Sequence, residues 1–265
     1  MKKYFALLSY ELKNLSKDKM NVFMIFYPFI MLFLTGFLVP KALQGSNDPN
    51  TSMYVLIVLF LFSLLLGCFV GGILLGFSLL DNKDEKTFNN ISVTPASIKG
   101  YVIFKSIYST VLSFISNLII VLGLKLLARD AYTIAALNIN LLDNISTFQI
   151  IVFSAVNSLI TPALALVIAA MAKNKVEGFM FVKGGGTILM LPILMMLETF
   201  KDGKQYILGI LPNFWSIKPL YNLALNINSS YNMPFWLYML IGGIFSILLS
   251  IVFYKMFTKK LQVTT

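Results

Sequence analysis

The sequence predicts an all-α integral membrane protein of six spanning helices. An amphipathic elbow helix precedes the first span, a short cytoplasmic helix joins spans two and three, and short outer-face helices precede span six. Three observations carry this. Charged residues make up 12% of the 265 positions and apolar residues 58%, whereas a soluble domain carries roughly 25% charged residues. Mean hydropathy is correspondingly high, at +0.81. Charge-free apolar runs recur along the chain, and about 20 such residues cross a hydrocarbon core as a helix. The basic residues fall on alternate connections between those runs.

The first 19 residues place Tyr4, Phe5, Leu8, Leu12 and Leu15 at helical spacing, with Ser9, Lys13, Asn14 and Lys17 on the other face. With Lys2, Lys3 and Lys19 they read as a basic helix lying in the membrane interface. Met1-Lys2-Lys3 leads into no cleavable apolar segment, so no signal peptide is expected. The spans are expected at about 20–40, 53–80, 104–125, 148–172, 176–198 and 235–256, all within one transmembrane domain covering 1–265.

Span two belongs to a charge-free stretch from Pro49 to Leu80 that outruns the hydrocarbon core. It carries Gly67 with Gly71 and Gly72 with Gly76, small-xxx-small spacings that let helices approach closely. These glycines mark either packing within the chain or a dimer seam. Span five is the shortest: Gly184–Leu197 is long enough only when extended back to Val176, which admits Glu177 and Lys183 near its end. Its Gly184-Gly185-Gly186 reads as a kink or a close-packing point. Between spans five and six, 205–225 reads as short helices or re-entrant turns, with Tyr206, Trp215 and Tyr221 at interfacial depth. That segment is either an ordinary aromatic belt or a lid.

Charge sets the orientation. Basic residues concentrate before Met20, between Lys83 and Lys105, between Lys173 and Lys183, and from Lys255 onward. Only Lys41, Lys125, Arg129, Lys201, Lys204 and Lys218 fall on the other connections. The positive-inside rule then puts both ends in the cytoplasm of a plasma membrane, and the lysine- and asparagine-rich composition suggests a bacterial one.

Composition also excludes chemistry. Histidine is absent and Cys68 is the single cysteine, which rules out a disulfide framework and zinc sites built on Cys and His. No catalytic or metal-binding set is expected, and no cofactor bound by this chain. The net charge of +10 is spread between apolar runs, so anionic lipid rather than nucleic acid is the expected partner. Polar residues inside the spans are sparse: Ser113, Ser116 and Asn117 in span three, and Asn157, Ser158 and Thr161 in span four. They either bridge neighbouring helices or line a substrate path. No Asp or Glu lies deep in a span, Glu177 apart, which argues against an ion-coupled secondary carrier or channel, the alternative reading.

The connection after span two carries the most information. It runs Asp84-Glu85-Lys86-Thr87-Phe88, continues through Ile91, and reaches Thr94-Pro95. Phe88 and Ile91 stand three apart on one helical face. Thr94 is placed to cap a helix that Pro95 opens. A short helix with an exposed apolar edge is expected there, and such an edge calls for a partner.

This segment resembles the cytoplasmic loop of type-2 ABC transporter permeases, in which an acidic lead, a Thr and a Thr-Pro seven residues later recur. Thr87 and Thr94-Pro95 keep that spacing, and Asp84-Glu85 supply the lead; the family's Gly before the first Thr is Lys86 here. The elbow, the six spans and the hairpin before the last span extend the resemblance over nearly the whole chain. It implies a permease subunit that pairs with a second permease chain, as a homodimer or with a close homologue. Each docks on a separate nucleotide-binding ATPase that holds ATP and Mg. The coupling helix would comprise Asp84, Glu85, Lys86, Thr87, Phe88, Ile91, Thr94 and Pro95. Consistent with a separate ATPase, Gly184-Gly185-Gly186-Thr187 lacks the Gly-Lys-Ser/Thr ending of a phosphate loop. The cargo expected is amphipathic: a peptide, toxin or drug-like molecule, or a lipid or lipid-linked glycan.

Overall fold

The structure, a computed structural model, describes residues 19–43, 49–85, 87–88 and 97–264. The expected elbow lies outside these residues apart from Lys19. Among the described residues, six helical segments are long and apolar enough to cross a membrane: Ile25–Leu43, Asn50–Asp84, Ile98–Leu127, Thr147–Met171, Lys175–Met196 and Phe235–Leu261. The protein is an all-α, multi-pass membrane protein.

Span one comprises α1 (Lys19–Phe33), a π-helical turn (Leu34–Leu38) and α2 (Val39–Leu43). The π turn has a local cause. Pro40 has no N–H to return to the preceding turn, and the Thr35 carbonyl instead accepts a hydrogen bond from the Tyr132 hydroxyl at 2.9 Å. Span two is the single helix α3 (Pro49–Asp84), and span three is α4 (Ile98–Leu127). Ser97 caps α4 by accepting from the Gly100 N–H at 3.1 Å.

Span four is broken into α5 (Thr147–Ser158) and α6 (Thr161–Met171). Pro162 supplies no N–H to the turn that would join them. Ser146 and Gln149 start α5 with a reciprocal capping box. Span five is α7 (Lys175–Met190) with a 3-10 extension, and span six is α9 (Phe235–Thr264); α8 (Pro212–Ala224) lies between them.

The connections define two ends of the bundle. The basic end holds 81–85, 87–88, 172–175 and 255–264. The hairpin end holds 128–146, which includes the two-residue antiparallel strands β1 (Thr133–Ile134) and β2 (Ile139–Asn140), and 197–234. The larger apolar core sits towards the hairpin end and includes Phe60, Leu64, Val121, Phe153, Phe214 and Ile217. A second core, with Leu79, Tyr101, Val102, Ala165 and Phe257, sits towards the basic end.

Candidate functional site

A buried polar hub joins four helices. Asn157 on α5 is 2% exposed. Its amide nitrogen donates to the Leu64 carbonyl of α3 at 3.0 Å and to Asn117 Oδ1 of α4 at 3.2 Å. Asn117 in turn donates to the Ser113 carbonyl at 3.0 Å, and Ser216 of α8 donates to Asn157 Oδ1 at 2.9 Å. Each amide is thereby paired where an unpaired one would be expensive. Asn157 lies ten residues, about 15 Å of helix rise, from Thr147. Ser216 reaches it, so α8 dips into the bundle from the hairpin end.

Glycine makes the hub possible. A Cβ on Gly67 would fall inside the Asn117 amide, and one on Gly71 would meet Ser113 Oγ. One on Gly72 would lie 2.8 Å from Leu164 Cβ, and one on Gly76 3.2 Å from the Ala165 carbonyl. The first pair therefore seats α3 against α4 and the second seats it against α6.

The re-entrant segment is packed through aromatics. Residues 203–210 form a 3-10 helix leading into α8, and Trp215 Nε1 donates to the Gly209 carbonyl at 2.8 Å. The Tyr206 hydroxyl donates to the Tyr231 carbonyl at 2.6 Å, and its ring stacks on Trp215 at 6.2 Å. Lys218 is 3% exposed, and its ammonium lies 5.3 Å from the centre of the Tyr221 ring. It forms no ion pair among the described residues, and burial pushes its pKa down to about 8. At the same end, exposed Arg129 donates to Asp143 at 2.6 Å and holds that carboxyl below the usual carboxylate range.

An apolar groove of about 860 Å³ runs between α3, α6 and α7. Phe69, Ile73, Leu164, Met180 and Ile188 line it, with Lys173 and Glu177 at the basic end. Span five is the least buried of the six. Gly184 and Gly185 are open: a Cβ on either meets nothing within 4 Å.

The basic end is strapped together. Lys175 pairs with Asp81 at 2.9 Å, and Lys83 donates to the Ala172 carbonyl at 3.3 Å. Asn82 donates to the Tyr101 hydroxyl at 3.1 Å, and Lys105 donates to Ser78 at 2.7 Å. Asp84 and Glu85 are exposed, whereas Phe88 is 3% exposed, packed edge-on against Tyr101 and Phe257.

Residues 11–254 match the family of the fluoroquinolones export permease protein Rv2686c-like. The chain belongs to this family, a family of type-2 ABC transporter permeases. It is thus an export permease, a transporter subunit rather than an enzyme. A comparison with curated proteins finds none that matches it.

In this Rv2686c-like permease, five of the six intramembrane polar residues singled out by sequence face neighbouring helices of the same chain. Ser113, Asn117, Asn157, Ser158 and Thr161 are buried, and Ser116 is half-buried. The Thr161 hydroxyl reaches towards the Cys68 carbonyl at 3.5 Å, and Ser158 bonds within its own helix. Of the loop residues, Lys86, Ile91, Thr94 and Pro95 lie outside the described residues. Thr87 is half-buried. Phe88 departs from expectation, because its ring is inside the protein rather than on an exposed edge. Sequence reasoning missed Ser216, Asn213, whose buried amide donates to the Leu189 carbonyl at 2.7 Å, and the burial of Lys218. A usable signal existed: Pro212 at a first helical position, followed by Asn213 and Ser216 three apart on one face.

Proposed function

We propose that this permease is the membrane half of an ATP-driven exporter of amphipathic, drug-like molecules, with fluoroquinolones as the cargo class its family name suggests. The observation that carries this reading is the groove between α3, α6 and α7. It is apolar along its length, has one cation and one carboxylate at its mouth, and is bounded by the least buried span. An amphipathic solute matches such a surface: its apolar body replaces lipid along the groove while its polar group stays at the charged mouth.

In this reading a second permease chain faces α7. Gly184 and Gly185 leave room there for a close neighbour. The basic end faces the cytoplasm of a bacterial plasma membrane and docks on a separate ATPase. Asp84 and Glu85, exposed at the end of α3, are placed to meet it. ATP and Mg belong to that partner. Closure of the ATPase pair moves the segment after α3 and switches the access of the groove.

The test is accumulation of a fluorescent fluoroquinolone in cells expressing the permease with its ATPase. Lower accumulation than in cells lacking the permease, abolished by Gly184→Leu, is the expected result. Efflux that persists without ATP but collapses with the proton gradient would replace this reading with an ion-coupled carrier.

A further inference from the structure

The coupling reading above leaves open how a push on the segment after α3 reaches the spans; the inference here rests on that reading. A docking side chain should lie on the surface, yet Phe88 is 3% exposed. Its ring centroid is 6.3 Å from that of Tyr101, in the first turn of α4, at 78°. It is 6.1 Å from that of Phe257, near the end of α9, at 66°. The same apolar cluster takes in Leu75 and Leu79 of α3, and Ala165 and Ala169 of α6. One side chain on a connection therefore sits where spans two, three, four and six converge.

The surroundings make it a firm anchor. Phe88 meets both rings edge-on, so it is held from the α4 side and the α9 side at once. Tyr101 is held by the Asn82 amide at 3.1 Å. The Lys105 ammonium lies 5.2 Å from the Tyr101 ring centre and donates to Ser78 of α3 at 2.7 Å. Because interiors are close-packed, a displaced ring cannot move without moving its neighbours. Packed cores respond to small shifts by switching between discrete arrangements.

We infer that Phe88 is not an ATPase contact but a positioning residue, an aromatic plug that transmits movement of the docking segment to α4 and α9. Asp84 and Glu85 face the ATPase while Phe88, one turn on, faces the bundle. Removing the ring disconnects the two without removing the docking surface.

The experiment uses the whole permease with its ATPase in proteoliposomes. It reads three quantities: ATPase co-purified, ATP hydrolysed, and fluoroquinolone transported per ATP. Phe88→Ala is expected to keep the ATPase bound and hydrolysing, with transport per ATP reduced at least ~5-fold. Phe257→Ala is expected to do the same, and the double variant to be no worse than either single one, because both break one path. Phe88→Leu keeps apolar bulk and carries the test should Phe88→Ala fail to insert; its expected loss is smaller and in the same direction. Unchanged transport per ATP in both Phe88 variants overturns the inference and leaves Phe88 an ordinary core residue. Loss of ATPase binding in Phe88→Leu overturns it in the other direction, making Phe88 part of the docking surface. If the wild-type chain holds no ATPase, the coupling reading fails, and this inference with it.

Discussion

The Asn157 amide of α5 donates to Asn117 Oδ1 of α4 across 3.2 Å, and the space Asn117 occupies exists only because residue 67 of α3 has no side chain. One hydrogen bond and one missing methyl thus set the spacing of three spans. The relationship can be tested by exchanging sizes. Gly67→Ala alone should lower the thermal midpoint of the purified protein by several degrees, since the new Cβ overlaps the amide. Adding Asn117→Ala should recover part of that loss, and a double variant no better than Gly67→Ala would show that the contact does not limit packing.

Asn157→Leu should be more damaging than its volume suggests. It leaves the buried Asn117 Oδ1 without its donor and takes one partner each from the Ser216 hydroxyl, which keeps the Asn213 carbonyl at 3.1 Å, and from the Leu64 carbonyl; a buried polar group left unpaired costs about 1–3 kcal/mol. Ser216→Ala removes only one member and should cost less. Thermal melts monitored by size-exclusion chromatography would order the two.

Lys218 predicts a pH dependence. Its folded pKa, about 8, lies below its ordinary value of 10.5. The folded state therefore disfavours the charged form, and stability is lost as pH falls from above 10.5 to below 8. Relative to Lys218→Met, the wild type should gain thermal stability between pH 7 and pH 10. At pH 7 the methionine variant should be the more stable. Parallel curves for the two proteins would show that the ammonium is solvated.

Glycine positions should separate by what faces them. Gly72→Ala meets Leu164 Cβ at 2.8 Å and should destabilise, whereas Gly184→Ala meets nothing within 4 Å. Gly184→Ala should be neutral or slightly stabilising, since alanine favours helix by up to about 1 kcal/mol. Expression level and melting temperature of the two single variants decide the matter.

Cys68 is 3% exposed and should resist maleimide until the protein is denatured, leaving a silent background for labelling. Glu85→Cys and Lys201→Cys, at opposite ends of the bundle, should then react with an impermeant maleimide from opposite faces of the membrane. Labelling of Glu85→Cys from outside intact cells would invert the proposed orientation.

How much of this was legible in the sequence depends on the level asked about. The helical membrane class and the six spans follow from composition and run length. Even span five, interrupted by Glu177 and Lys183, stands as a helix from Lys175. Asn117, Asn157 and the paired glycines of α3 were recognisable as special, but their partners were not. Ser216 comes from a segment 59 residues beyond Asn157 that reads as interfacial. Lys218 was placed among surface charges. Phe88 shared a helical face with Ile91 and so read as exposed.

The sequence by itself determined that this chain lives in lipid and crosses it six times. A membrane admits only segments that satisfy their own backbone hydrogen bonds and present about 20 apolar residues. Tertiary structure alone decided which faces meet: Gly67 on Asn117, Phe88 on Phe257, Ser216 on Asn157. The physical reason is that lipid and protein interior are similarly apolar. A spanning helix therefore carries little of the polar-apolar periodicity that reveals the buried face of a soluble helix. In such a chain the partner of each small or polar residue is set by shape and hydrogen bonding across the bundle, and these exist only once it is packed.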